Sequence, residues 1–279
     1  MNPNTLIRCA VVGNPIAHSR SPEIHRAFAK QYNLPLHYDR ILADPNDFSD
    51  HVRGFFAQGG KGLNITVPFK ELAFDMAQVR SPRAEVAGAV NTLWMEDNVL
   101  HGCNTDGVGL LNDLIRLGFD PHNKRILLIG AGGAAKGVAL PLLNAQPTHL
   151  RIVNRTPQKA HDLVALLLAQ PQSHSATTQV DSGDLQATAG TWDLVINATS
   201  TGLQQQSPLE ATLVFNPEHS LAYDMVYGPE PTAFLKDCTQ AGATAWADGW
   251  GMLVGQAAVS FLIWHGHEPA VAPLLESLR

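Results

Sequence analysis

The chain is poor in charge and in cysteine. Lys, Arg, Asp and Glu together supply 16% of its 279 residues, and the acids exceed the bases to give a net charge of −6. A balance of that sign creates no basic field for nucleic acid or an anionic membrane, so neither is expected as a partner. An anionic ligand has to be held by local groups. The three cysteines, Cys9, Cys103 and Cys238, are odd in number, far apart and in no C-x-x-C pair. That usage fits a reducing compartment, and a cytoplasmic location is expected. No apolar run approaches the roughly 20 residues that a membrane span needs. The polar start, with Asn2, Pro3 and Asn4, does not read as a signal peptide. Twelve histidines are present, yet no H-E-x-x-H or Cys/His spacing appears, and no metal is expected. His265 and His267, flanking a glycine near the tail, read as structural or solvated.

What the chain does have is 45% apolar residues and enough length for two domains with real cores. Arg125 to Ala135 reads R-I-L-L-I-G-A-G-G-A-A. The apolar run Ile126 to Ile129 is a strand buried on both faces, and a glycine turn and an Ala-rich helix start follow at once. The spacing is G-x-G-x-x-A. Gly130 permits the tight turn, Gly132 lets the backbone approach a pyrophosphate, and the helix N-terminus offers N–H groups to that phosphate. By itself such a loop is generic.

In chain order, Ile7 to Val12 is a first strand. Ser21-Pro22 is a helix start, with serine as the cap and proline at the first helical position. Ser21 either merely caps, or joins Ser19 in placing two hydroxyls at a helix N-terminus where a carboxylate could bind. Tyr38 to Leu42 reads as a strand and Asp47 to Gln58 as a helix. Leu63, Ile65 and Val67 alternate with Asn64 and Thr66, which predicts a strand with one polar face. Pro68 stops it, so Lys70 lies just past a strand end: a common place for an active residue, and equally for an ordinary exposed lysine. Ser81-Pro82 opens another helix. Gly88 to Leu93 returns to strand, and a domain boundary is placed near Asp106. A helix over 109–117 precedes the glycine loop, and Pro141 predicts a kink in the helix after it. Leu150 to Val153, Asp193 to Ala198, Leu221 to Val226 and Ala243 to Trp246 are further strands, so 125–246 alternates as a doubly wound α/β sheet. Asp248 to Gly251 looks like a hinge. Met252 to Trp264 is apolar nearly all round, a buried helix on which Gln256 is the lone amide and needs a partner.

The loop after Val153 chooses the nucleotide. An NAD-binding fold carries an acid about 20 residues past the glycines, but here the slot holds Asn154 and Arg155, with no acid until Asp162. Arg155 suits a 2′-phosphate, and Lys159 adds charge one turn on, so the loop prefers NADP if it binds either. Thr156, before Pro157, can also serve as a helix cap.

Taken together these segments resemble the shikimate dehydrogenase family nearly end to end. The resemblance rests on Gly13 to Pro22 (GNPIAHSRSP), Asn64 to Lys70 (NITVPFK), Gly88 to Thr92 (GAVNT), Asn104 to Gly107 (NTDG), Gly130 to Ala135, Asn154-Arg155-Thr156, Tyr223-Asp224-Met225 and Asp248 to Gln256 (DGWGMLVGQ). It implies an N-terminal α/β substrate domain, residues 1–105 with the C-terminal helices of 249–279 returning to it, and an NADP-binding Rossmann domain over 106–248. It implies reversible NADPH-dependent reduction of 3-dehydroshikimate to shikimate, a step of chorismate and aromatic amino acid biosynthesis. Ser19 and Ser21 are then expected to hold the substrate carboxylate. Asn64, Thr66, Lys70, Asn91, Asp106 and Gln256 line the site, with Tyr227 nearby. Lys70 is expected to move the proton while Asp106 orients it and the substrate hydroxyl. NADP is expected along Gly130, Ala131, Gly132, Gly133 and Ala134, along Asn154, Arg155, Thr156 and Lys159, and at Thr199, with Met225 and Gly249 near the nicotinamide. The Asn-Arg-Thr loop resembles the NADP-preferring, shikimate-specific branch. Two rival readings stand beside it: a quinate/shikimate dehydrogenase of broader range, and an inactive nucleotide-sensing homologue, against which intact Lys70 and Asp106 argue. Thr232-Ala233-Phe234, where Thr-Pro-Phe is common, and Ser81-Pro82, where an acid is often seen, depart from the family pattern. The protein is expected to be a monomer or a homodimer.

Overall fold

The strand read from Ile7 onward is β1, Ile7–Gly13. The computed structural model describes residues 6–170 and 178–279, so the polar start at Asn2 to Asn4 lies outside the described residues. After β1 come α1 (Ser21–Gln31), β2 (Leu36–Leu42), α2 (Phe48–Ala57), β3 (Gly62–Ile65), α3 (Lys70–Met76), β4 (Val79–Arg80), α4 (Pro82–Ala87), β5 (Thr92–Glu96) and β6 (Val99–Cys103). They build a mixed six-stranded sheet, ordered β2-β1-β3-β5-β6-β4, in which β1 is parallel to β2 and β3 while β5 runs antiparallel to β3 and β6. Both faces of β1 are covered, as its apolar run from Cys9 to Val12 requires. Ala10 and Val12 join Phe48, Leu63, Ile65 and Phe69 on one side. Cys9 and Val11 join Tyr38 and Trp264 on the other.

Then follow α5 (Asp106–Arg116), β7 (Arg125–Ile129), α6 (Gly133–Asn144), β8 (His149–Val153), α7 (Pro157–Leu168), β9 (Gln179–Gly183), β10 (Thr191–Trp192), β11 (Leu194–Asn197), β12 (Val214–Phe215), β13 (Leu221–Asp224), α8 (Ala233–Gln240), β14 (Ala245–Asp248), α9 (Trp250–His265) and α10 (Ala272–Ser277). The second sheet, β14-β13-β11-β7-β8-β9, is parallel throughout. The short strands β10 and β12 pair only with each other. Counted in chain order, the six strands of the second sheet stand 3-2-1-4-5-6 from β9 to β14. This is the doubly wound dinucleotide order, which reverses between β7 and β11. The chain divides into two compact units, Met1–Gly109 with Val254–Arg279, and Leu110–Leu253.

Several local expectations change. Ser21 does not cap α1: Arg20 holds the cap position without a side-chain bond, and Ser21 is the first helical residue. Ser81 does cap α4, accepting from the Ala84 N–H at 3.3 Å. Thr156 stands at the cap of α7 but its hydroxyl makes no capping bond. β5 starts only at Thr92 because Gly88, at φ +57°, first closes α4 in the left-handed region. The strand expected from Asp193 breaks there, since the Asp193 carboxylate accepts from the Arg125 N–H and from Asn216 Nδ2, both at 2.8 Å. β3 ends at Ile65, and Asn64 on its polar face is buried, because Tyr38 and Ser260 cover it.

Candidate active site

All the expected substrate residues except Tyr227 lie in the first unit. Lys70 is the first residue of α3, after the turn that Pro68 forces at the end of β3. Asp106 is the first residue of α5, where the unpaired N–H groups of a helix start favour an anion. Their side chains meet at 2.6 Å between Nζ and Oδ2, with the lysine 27% and the aspartate 10% exposed. Asn91 fixes the other carboxylate oxygen. Its Oδ1 accepts from the Thr105 backbone N–H at 2.9 Å, and an N–H can only donate. The amide nitrogen is therefore the end that faces Asp106 Oδ1, at 2.7 Å, with Gln256 Oε1 at 3.4 Å. The Asp106 N–H donates to Asn104 Oδ1 at 3.1 Å. A partly buried ammonium on a carboxylate with a fixed orientation is an arrangement suited to proton transfer.

A layer of hydroxyls lies behind these amides. Ser260 Oγ is 2.8 Å from Thr92 Oγ1 and accepts from Asn64 Nδ2 at 3.0 Å, while Thr105 Oγ1 donates to Gln256 Oε1 at 3.3 Å. The sequence reading assigned none of these hydroxyls a role. Ser260 carried a usable signal, since it follows Gln256 by four residues on one helix and so shares its face. Thr92 and Thr105 sit inside quoted motifs with nothing to separate their side chains from any buried threonine.

Ser19 and Ser21 are brought together at the start of α1, an 11-residue helix, with Ser19 Oγ donating to Ser21 Oγ at 3.2 Å. Arg40 holds this turn from behind, donating twice to the Ser19 carbonyl at 2.9 and 2.6 Å and once to Glu23 at 2.8 Å. Thr66 follows β3 and donates its N–H to the Val12 carbonyl at 3.0 Å. Tyr227 lies in the second unit after β13, with its ring 5.9 Å from that of Trp250.

The expected nucleotide residues all belong to the second unit and collect at the carboxyl ends of its strands. Gly130 follows β7 and Thr199 follows β11, so the two flank the point where the strand order reverses. Gly130 is at φ +116°, and a Cβ there would stand 3.1 Å from the Ala198 carbonyl carbon and oxygen. Glycine is required at that position by the protein itself. Gly132 and Gly133 differ: neither has φ in the left-handed region, and a Cβ on either would meet nothing within 4 Å. The space they leave in front of the α6 N-terminus fits a phosphate that the backbone must approach closely. Ala131 is buried beside the turn and Ala134 is exposed in the first turn of α6.

After β8, Asn154 Nδ2 donates to the Thr156 carbonyl at 2.9 Å, shaping the loop that presents Arg155 and Lys159 to solvent. Asn197 Oδ1 accepts from both the N–H and the hydroxyl of Thr199, at 3.0 and 2.7 Å. Asn197 is anchored in turn by Asp224, a fully buried carboxylate that burial pushes above its ordinary range. The Met225 N–H donates to the Asn197 carbonyl at 3.0 Å, and a Cβ on Gly249 would collide with the Met225 carbonyl. The anchoring pair Asn197 and Asp224 was also missed, although Asp224 stood in a quoted motif.

Comparison with known proteins gives three family matches along the chain. Residues 11–93 match the shikimate dehydrogenase substrate binding domain, 114–210 the shikimate / quinate 5-dehydrogenase family, and 249–279 the shikimate 5'-dehydrogenase C-terminal domain. The chain is 52% identical to the shikimate dehydrogenase (NADP(+)) of Bordetella petrii over 277 residues, 98% of this chain and 96% of that one. Among solved structures, it is similar to shikimate 5-dehydrogenase from Thermus thermophilus in complex with NADP(H) and shikimate (32% identity, TM-score 0.85, 97% and 98% of the two chains). It is also similar to shikimate 5-dehydrogenase from Listeria monocytogenes in complex with shikimate and NAD (27% identity, TM-score 0.87, 98% and 96%). With family matches in both compact units and half its residues shared with a relative along the whole length, the chain belongs to the shikimate dehydrogenase family.

Proposed function

We propose that the chain is an NADP-dependent shikimate dehydrogenase, reducing 3-dehydroshikimate to shikimate and running in reverse. The observation that carries this reading is the Lys70–Asp106 pair, 2.6 Å apart, with the carboxylate held by Asn91. Ser19 and Ser21 bind the substrate carboxylate with hydroxyls at a helix start. Asn64, Thr66, Asn91 and Gln256 take the ring hydroxyls. Tyr227 is assigned to the same substrate. Residues 1–105 and 249–279 form the substrate domain, and 106–248 form the NADP domain.

When bound, NADP supplies the hydride chemistry. Gly130 to Ala134 would hold its pyrophosphate, Arg155 and Lys159 with Asn154 and Thr156 would hold the 2′-phosphate, Thr199 would lie along the nucleotide, and Met225 and Gly249 would lie near the nicotinamide. Lys70 gives the proton from Nζ to the carbonyl oxygen as that oxygen gains charge. Asp106 keeps Lys70 aimed and accepts a hydrogen bond from the new hydroxyl. Placing a donor in this way is typically worth about 10²–10⁴ in rate. In oxidation Lys70 takes the proton back. The reaction serves chorismate and aromatic amino acid synthesis, and a cytoplasmic site suits three free, buried cysteines. The protein works as a monomer or homodimer.

The test is one spectrophotometric comparison, shikimate with NADP against quinate with NAD. Turnover confined to the first pair supports the proposal. Comparable turnover of the second pair favours the broader quinate/shikimate enzyme, and no turnover of either favours an inactive homologue.

A further inference from the structure

We propose that Tyr38 is a positioning residue of the substrate site, one that fixes Asn64 as a hydrogen-bond acceptor for a ligand hydroxyl. The inference rests on the substrate reading above, but it starts from an amide whose orientation is settled by its neighbours. Asn64 presents one end of its amide to the Asn91 carbonyl at 3.2 Å, and a carbonyl only accepts. That end is therefore Nδ2, and its second hydrogen goes to Ser260 Oγ at 3.0 Å. The other end, Oδ1, faces the Tyr38 hydroxyl at 2.6 Å. An amide oxygen only accepts, so the phenol must donate. Both amide hydrogens and one lone pair of Asn64 are then occupied by the protein. What remains for a ligand is the second lone pair of Oδ1. Such a position recognises a hydroxyl and rejects a carbonyl or carboxylate at the same place.

Tyr38 is held rigidly enough for this role. Its side chain is fully buried, and its ring stacks on that of His25 at 4.5 Å and 20°. The far support is Trp264, whose ring stacks on the same histidine at 5.3 Å. Burial pushes the phenol well above its ordinary range, which keeps it protonated and donating. Nothing in the sequence marks Tyr38, which looks like an ordinary aromatic on a strand.

The experiment is Tyr38→Phe, which keeps the ring and the stack and removes only the hydroxyl. Shikimate binding is measured by calorimetry on the nucleotide-free protein, alongside steady-state kinetics for shikimate and NADP. Losing one oriented buried hydrogen bond should raise Kd and KM for shikimate roughly tenfold. The kcat should stay within about threefold and KM for NADP should not move, because the lost contact is made to bound substrate before any chemistry. In an Asn64→Ala background the same change should produce no further loss. Unchanged shikimate binding overturns the proposal. So does a rise of KM for NADP in step with that for shikimate and with a fall in melting temperature, which would make Tyr38 structural. Should Tyr38→Phe fail to fold, Asn64→Ala removes the acceptor itself: a shikimate Kd raised about tenfold with KM for NADP unmoved supports the proposal, and an unchanged Kd overturns it. A wild-type chain inert toward shikimate and NADP would defeat the functional reading, whereas an active wild type with an unaffected Tyr38→Phe defeats this inference alone.

Discussion

His25 should make the first unit sensitive to mild acid. The ring lies on α1, fully buried between Tyr38 and Trp264, and both its nitrogens lack a partner among the described residues. Burial first, and the nearby His265 second, lower its pKa from 6.5 to about 3. A depressed value in the folded state means that the unfolded chain takes up the proton first. The stability contribution is therefore present at neutral pH and is lost as the pH falls below 6.5 toward about 3. Integrating the linkage relation with these two values gives a loss of about 2 kcal/mol between pH 7 and pH 5. The whole shift corresponds to about 5 kcal/mol. His25→Phe keeps an aromatic face for Tyr38 and Trp264 and removes the titration.

Urea unfolding followed by tryptophan fluorescence, at pH 7 and pH 5, gives the comparison. The variant should lose about 2 kcal/mol less than the wild type between the two conditions. His265, which burial lowers to about 4, titrates in both chains and cancels to first order. At pH 7 the variant should be no less stable, since it removes two buried polar atoms without partners. Parallel losses of stability in the two chains would refute the reasoning.

Lys70→Ala should lower kcat by about 10²–10⁴ with a modest change in KM, and an unchanged kcat would remove Lys70 from the chemistry. Arg155→Ala should weaken NADPH far more than NADH in a binding titration, because only the former carries the 2′-phosphate; equal losses would contradict that contact. Gly130→Ala forces a side chain to φ +116° and to 3.1 Å from the Ala198 carbonyl. It should cost about 1–3 kcal/mol in a denaturation measurement and raise the KM for NADP.

The sequence revealed most where a residue type has few alternative uses. The apolar run before Gly130 and the positive φ that this glycine adopts are both consequences of local chemistry, and both were readable. Boundaries failed where a side chain from elsewhere intervened, as when Asp193 took the Arg125 N–H and split a strand. The contact between Lys70 and Asp106 spans 36 positions, and no periodicity links the two; only the resemblance pointed to them as a pair. The layer behind them was hidden for a further reason. A threonine, serine or tyrosine acquires an orienting role from the direction of its hydrogen bonds. That direction is fixed by backbone groups such as the Thr105 N–H and the Asn91 carbonyl, which every sequence contains. The same logic runs through the second unit, where the Thr199 N–H fixes Asn197 and thereby turns its Nδ2 toward Asp224. In both units several of the residues assigned to the proposed ligands, and those behind them, are amides and hydroxyls that could point either way. A buried partner chooses the direction, and that partner can be identified only when the fold brings distant strands side by side.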